Sequence, residues 1–379
     1  MVNHLSENDT SSLENSFEEW EESAEKCLRN EAFDYIARGS GAEETMKANV
    51  EAFQKWRIRP RVLRDVSERD LSVSLFGHTV SSPLLFAPIG VQAIVHPQGE
   101  LASAKAASEM GALFITSSAS SFSMEEIAAE MEDSPRWFQL YCSLDDSVTK
   151  SLVQRAEACG YSAIVITVDT PMLGFREADL RNGYSPLEEA KGIGNYITDP
   201  AFCKLLKKVP QEDLSEAIQK QIDIIDKPGL TWEDIEKVRT YTHLPILLKG
   251  VVHPDDAKKA VDYNLDGLIV SNHGGRQLDS AISSLDALVQ IQKVVYDRIP
   301  ILVDGGVRRG TDVIKALALG AKAVLVGRPY VYGLTKGKAG VKRVIQHILN
   351  ETDITMALSG VRSVKEIDSS LLVKVNEEM

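Results

Sequence analysis

The 379-residue chain carries 55 acidic side chains against 42 Lys and Arg, a formal net charge of -13, with 44% hydrophobic and 26% charged residues. That composition excludes a disordered chain and supplies a large core. The charge disfavours nucleic acid, since displacing counterions from a phosphate backbone needs a basic face, and leaves open only a local basic pocket for a small anion.

The opening MVNHLSENDTSSLENSFEEWEE has neither the basic start nor the apolar stretch of a secretory signal, so residues 1–15 are expected to form a disordered lead. No apolar run approaches the roughly 18 to 20 residues of a membrane-spanning helix. Cys27, Cys142, Cys159 and Cys203 form no C-x-x-C pair, so neither a metal site nor a disulfide framework is expected, and the cytoplasm fits best. Residues from about 16 to 75 are expected to form an N-terminal helical cap.

From there, short Val-, Ile-, Leu- and Phe-rich runs alternate with helical patterns. The runs are Leu84–Ala87, Leu113–Thr116, Trp137–Leu140, Ala163–Val168, Pro245–Leu248, Gly267–Val270, Ile301–Val303 and Ala323–Val326. Continuous apolarity implies strands buried on both faces under helices, such as GELASAKAASEMGA and GTDVIKALALGA, whose apolar residues recur at spacings of three and four. Eight βα units predict one α/β domain over 1–379, a (β/α)8 TIM barrel. Residues 178–230, after the fourth strand, stand outside the repeat and are expected to form mobile, lid-like helices over the barrel mouth.

Catalytic residues of such barrels lie at the C-terminal ends of the strands. In strand order these ends carry Pro88-Ile89-Gly90, Ser117, Gln139 with Tyr141, Thr167 with Asp169, Lys249, Ser271 through Arg276, Asp304 through Arg308, and Gly327-Arg328. In DGGVRRGTDVIKA the paired glycines allow close backbone approach and a following helix N-terminus offers unpaired N–H groups, which predicts a phosphate cradle completed by Arg328. No G-x-G-x-x-G or P-loop is present. His273 stands beside a Gly-Gly pair with Arg276 three residues on, placing a base next to a carboxylate clamp; Arg176 is a candidate second clamp, and Lys249 fits either a Schiff base or a cation beside an electron-rich ring.

The motifs SNHGGRQLD, TVDTPMLGFREAD, DGGVRRGTDVIKALALGA and FQLY, in a match running from FDYIARGSG to TMALSGVRSVKEI, resemble the FMN-dependent 2-hydroxy acid oxidase and dehydrogenase family. Within it, Gly90 in APIGVQ and the stretch GIGNYITDPAFCKLL are most similar to the lactate 2-monooxygenases. The resemblance implies His273 as catalytic base, Asp169 as its supporting carboxylate, Arg176 and Arg276 as the substrate carboxylate clamp, and Tyr35 and Tyr141 as substrate hydrogen-bonding groups. It also implies FMN ring and ribityl contacts from Pro88, Ile89, Gly90, Ser117, Gln139, Thr167, Lys249 and Ser271. The ribityl and phosphate grip falls to Asp304, Gly305, Gly306, Arg308, Gly327 and Arg328. Ala119 stands where many plant-type members have Trp, which leaves the pocket roof and the substrate chain length open.

The expected activity is oxidation of a short L-2-hydroxy acid, L-lactate foremost, with oxygen as acceptor and acetate, carbon dioxide and water as products, by a homotetramer. The competing expectations are a lactate or glycolate oxidase or dehydrogenase releasing the 2-keto acid, and a Schiff-base aldolase built on Lys249.

Overall fold

The computed structural model describes residues 14–375, so most of the expected disordered lead lies outside the described residues. Eight parallel strands close a barrel: β1 Leu84–Phe86, β2 Phe114–Ser117, β3 Arg136–Leu140, β4 Ile164–Thr167, β5 Ile246–Val251, β6 Gly267–Val270, β7 Ile301–Val303 and β8 Ala323–Val326. Pairing of Val324 with Leu84 and of Val326 with Phe86 joins the last strand to the first. Every strand residue except Gly250 is buried, as continuous apolar runs under a helical layer require.

Alternation along the pleat sorts these residues into two cores. Leu85, Ile115, Trp137, Val165, Leu247 and Ile269 pack inside the barrel. Phe86, Phe114, Phe138, Ile166, Leu268 and Val270 face the helices.

The segment expected to be a helical cap is only partly helical. Helices Phe17–Cys27, Asn30–Ala37 and Glu44–Gln54 form as expected, but Trp56–Ile58 pairs antiparallel with Leu372–Lys374, and Val73–Leu75 pairs with His78–Val80 in a hairpin. The hairpin turns on Phe76 and Gly77, with φ of 47° and 83°, the positive pair that matches strand twist in a tight turn. Leu75 and Val80 join the interior core and the Phe76 ring lies 5.5 Å from that of Trp137, so the hairpin plugs the barrel floor.

The insertion after β4 forms helices Glu177–Asn182, Gly194–Ile197, Pro200–Cys203 and Leu214–Ile225. Its middle is a fixed wedge rather than the loose flap expected. Asn195 is fully buried, accepts from Met124 N at 2.7 Å and donates to the Ser117 and Ser118 carbonyls at 3.1 and 3.2 Å, behind β2. A buried amide so satisfied resists release. Only the flanks of the insertion, Ser185 to Glu188 and Ile222 to Asp226, reach the cavity at the barrel mouth. Among the described residues no helix is long and apolar enough to cross a membrane, the cysteines are free, and no cluster is suited to a metal ion.

Candidate active site

A cavity of about 370 Å³ opens at the C-terminal ends of the strands. Its walls carry Arg176, Lys249, Arg276, Arg308 and Arg328 against Glu188, Asp226 and Asp304, a cationic pocket inside a strongly acidic chain. Tyr35, Tyr141, His273 and the Pro88–Gly90 turn share these walls, whereas Asp169, Gln139 and Ser271 are off the lining but hydrogen-bond to the lining residues His273, Ser117 and Lys249, and Thr167 to Gln139.

His273 opens a turn in which it, Gly274 and Gly275 all have positive φ, of 59°, 63° and 76°. A histidine there is strained by roughly 1–3 kcal/mol and persists only when its surroundings over-determine it. The His273 N–H donates to Ser271 Oγ at 3.0 Å, and Asn272 Oδ1 accepts from Gly275 N at 3.2 Å. Asn272 in turn exchanges two 2.8 Å hydrogen bonds with buried Asn49 of the Glu44–Gln54 helix. His273 Nδ1 lies 2.9 Å from Asp169 Oδ1. At the end of β5, Gly250 has φ of 109°, and a Cβ there would stand 2.6 Å from Asp169 Cβ, so only glycine lets that carboxylate sit behind the imidazole.

Burial alone would raise the Asp169 pKa, but His273, Lys249 and Thr170 together hold it below the usual value. Burial depresses the His273 pKa below 6.5, against the pull of Asp169. The resting pair is therefore a carboxylate and a neutral imidazole whose Nδ1–H donates to Asp169, leaving Nε2 as an acceptor. Any rate that needs this free base is complete above the His273 pKa and lost as pH falls through it. The acid limb of the kcat/KM profile is expected to lie below pH 6.5, and a midpoint above that value would show a different group titrating.

Arg176 and Arg276 converge on the Tyr35 ring, their guanidinium carbons 5.9 and 4.9 Å from its centroid. Arg276 is anchored to the Tyr35 and Arg38 carbonyls at 2.5 and 2.9 Å, and burial followed by repulsion from Arg176 pulls its pKa down to about 9. Their acidic neighbour Asp179 stands 3.8 Å from Arg176, at the limit of a salt bridge, which leaves both cations available to clamp an incoming carboxylate. Gln277, absent from the residues read out of the sequence, ties the clamp together. Its Oε1 accepts from Gly174 N and Arg176 Nη2 at 3.1 and 3.3 Å, and its Nε2 donates to the Asp169 and Met172 carbonyls at 3.0 and 2.9 Å. Its position inside SNHGGRQLD was the only signal for it.

The phosphate end differs from its sequence reading. The N-terminus of helix Gly310–Ala318 is already satisfied: Asp312 Oδ2 accepts from the Arg308 and Arg309 amides at 3.0 and 3.1 Å, and Glu351 from the Gly310 amide at 2.7 Å. Free donors lie one turn earlier. The amides of Gly305, Gly306 and Val307 have no partner among the described residues, and both glycines have positive φ, of 93° and 83°. Arg308 and Arg328 have no acidic partner within ion-pair distance among the described residues. Burial, then repulsion from Arg328, drives the Arg308 pKa down to about 10. Asp304 Oδ1 is a buried acceptor without a donor, while its Oδ2 pairs with Lys249 Nζ at 3.1 Å. Unpaired cations and free amides for a phosphate, beside an orphan acceptor for a hydroxyl, fit the phosphate and ribityl chain of FMN. Arg308→Ala is expected to weaken FMN binding about 10- to 100-fold, the usual worth of a charge-assisted contact; unchanged affinity in a flavin titration would remove Arg308 from the grip.

At the ring end, Ser117 Oγ donates to Gln139 Oε1 at 3.0 Å and Gln139 Nε2 to Thr167 Oγ1 at 2.9 Å, a buried chain along three strand ends. Burial would lower the Lys249 pKa, but Asp304 and Asp169 raise it, so the side chain is held as an ammonium. That argues against a Schiff-base nucleophile. Gly90 is required by packing: a Cβ there would lie 2.5 Å from the Ala119 carbonyl oxygen, so the missing side chain admits the Ala119 turn, whose carbonyl accepts from Val91 N at 3.0 Å.

A phosphate-binding barrel with an imidazole–carboxylate pair and a two-arginine clamp defines a flavin-dependent oxidoreductase of hydroxy acids. Residues 24–374 match the family model described as FMN-dependent dehydrogenase. The chain is 46% identical over 343 residues to an L-lactate oxidase of Lysinibacillus sphaericus, covering 90% of this chain and 88% of that one. It is 42% identical to 2-hydroxyacid oxidase 1 of Homo sapiens, covering 94% and 95%. Its fold superposes on the crystal structure of mandelate oxidase with a TM-score of 0.83 at 39% identity, over 93% of this chain and 96% of that one. The chain belongs to the FMN-dependent dehydrogenase family, and its cofactor is FMN.

Proposed function

We propose that the enzyme oxidises short L-2-hydroxy acids, L-lactate foremost, with oxygen as the final acceptor. The observation that carries this reading is the His273 Nδ1 to Asp169 Oδ1 contact of 2.9 Å on the cavity that Arg176 and Arg276 also line. FMN supplies the two-electron acceptor that no side chain can provide. Arg176 and Arg276 hold the substrate carboxylate in forked hydrogen bonds, with the Tyr35 and Tyr141 hydroxyls beside it. His273 Nε2 takes the proton released on oxidation, and Asp169 stabilises the imidazolium so formed. The Lys249 ammonium, held charged by Asp304 and Asp169, would favour negative charge on the bound cofactor. Pro88, Ile89, Gly90, Ser117, Gln139, Thr167 and Ser271 would bound the ring and ribityl chain, Asp304 would accept from a ribityl hydroxyl, and Gly305, Gly306, Arg308, Gly327 and Arg328 would hold the phosphate end. By resemblance, the working form is a homotetramer, and the free, scattered cysteines fit the cytoplasm.

Anaerobic L-lactate is expected to bleach the yellow holoenzyme and D-lactate to leave it coloured. A flavoprotein that no 2-hydroxy acid bleaches would sink the reading. The similarity to L-lactate oxidases supports release of pyruvate and hydrogen peroxide. A second reading, lactate 2-monooxygenase, is favoured by the insertion flanks over the cavity. Pyruvate retained beneath them would react with peroxide formed beside it to give acetate, carbon dioxide and water, the outcome of a race between release and reoxidation. Gly90 adds nothing to that reading, because its missing Cβ faces the Ala119 backbone. Product analysis with catalase present decides: stoichiometric pyruvate marks release, and acetate that survives catalase marks retention.

A further inference from the structure

Away from the phosphate grip the cavity is lined by Val95, Ala119, Leu187, Ile222 and Ile225, with two acidic residues among them, the exposed Glu188 and the half-buried Asp226. Asp226 follows the last residue of the Leu214–Ile225 helix, and its backbone is fixed from the barrel side: the Ile224 carbonyl accepts from Leu144 N at 2.9 Å and Ser143 Oγ at 3.0 Å. Its chain neighbour Lys227 is spoken for, paired with Asp146 and Asp234 at 3.0 and 2.9 Å. Asp226 has no hydrogen bond or ion pair among the described residues, although it is half-buried, burial raises its pKa, and Arg176 across the cavity counters that rise. A half-buried carboxylate without a hydrogen bond costs stability, and the charge of Arg176 across the cavity offsets only part of that cost.

We propose that Asp226 sets the substrate range of this site by turning away 2-hydroxy acids whose side chain bears a second carboxylate. The inference rests on the proposed substrate pose. With one carboxylate on Arg176 and Arg276 and the reacting carbon at His273, the side chain has only the Asp226 end of the cavity to enter. A methyl or ethyl group meets Ile222, Ile225 and Leu187 there and leaves Asp226 its water. A carboxylate meets a like charge in a partly dry space, where repulsion is far stronger than in bulk water. Rejection by a like charge is a specificity device in its own right.

The test compares kcat/KM for L-malate, L-2-hydroxybutyrate and L-lactate in the wild-type holoenzyme, Asp226→Asn and Asp226→Ser. Both variants are expected to raise the malate-to-lactate ratio at least about 10-fold, the effect of removing one close like charge, while the 2-hydroxybutyrate-to-lactate ratio stays within roughly 3-fold, since no charge separates those two substrates. An unchanged malate ratio overturns the proposal, and so does an equal gain for 2-hydroxybutyrate, which would show that space and not charge had changed. Should neither variant retain FMN, inhibition of the wild-type enzyme decides: 2-oxoglutarate is expected to bind at least about 10-fold more weakly than 2-oxopentanoate, its neighbour in size without the second charge, and equal inhibition overturns the proposal. Failure of wild-type L-lactate turnover would instead strike the functional reading, so the two failures are separable.

Discussion

Replacing His273 by Gln is expected to leave FMN bound and to slow its reduction by L-lactate roughly 100- to 10,000-fold, the usual contribution of a positioned base. Gln preserves a polar group of similar reach but cannot accept a proton. The turn that holds position 273 depends on the Ser271 Oγ contact to its backbone N–H and on the Asn272–Asn49 pair, neither of which uses the imidazole. The phosphate grip lies on β7 and β8 and is untouched. Stopped-flow reduction under anaerobic conditions is the measurement, with the FMN content of the purified variant as the control for folding. Near-normal bleaching would show that another residue takes the proton.

Asp169→Asn carries the second large effect, a loss of about 100- to 10,000-fold in flavin reduction, of the order seen when the orienting carboxylate of a catalytic imidazole becomes an amide. Two physical effects combine. The substituted amide can present its NH2 to Nδ1 and so favour the tautomer whose Nε2 is protonated and unable to act as a base. The substitution also removes the charge that offsets burial, so the His273 pKa falls further below 6.5. The sign follows: the acid limb of the pH profile moves to lower pH while the plateau drops. A limb that moves to higher pH would contradict the pairing. Because the two residues act as one unit, the double variant is expected to be little slower than His273→Gln alone; losses that multiply would mean that Asp169 works independently of the imidazole.

Much of this site was legible in the sequence because its determinants are local. Buried parallel strands announce themselves as continuous apolar runs, and the catalytic groups follow each run within a few residues, so counting strands already ordered His273, Lys249, Asp304 and Arg328 around one mouth. The glycines of DGGVRRG likewise implied a close approach to a ligand. What the sequence left undetermined depends on contacts between distant segments. The first strand of the Val73–Val80 hairpin was absorbed into a helical cap because three residues are too few for a period of two to stand out, and only its packing on the barrel floor beside Trp137 explains it. That Gln277 stitches Gly174, Arg176 and Asp169 together is a matter of one amide reaching another loop. The N-terminus of helix Gly310–Ala318 looked free until Asp312 and Glu351 were seen to occupy it. Gly90 stood out only as part of APIGVQ, and the reason for it, an absent Cβ directed at the Ala119 backbone, lies in another strand's turn. In each of these, residue type and spacing limit what a position can do, and the closing of the barrel decides which partner it meets.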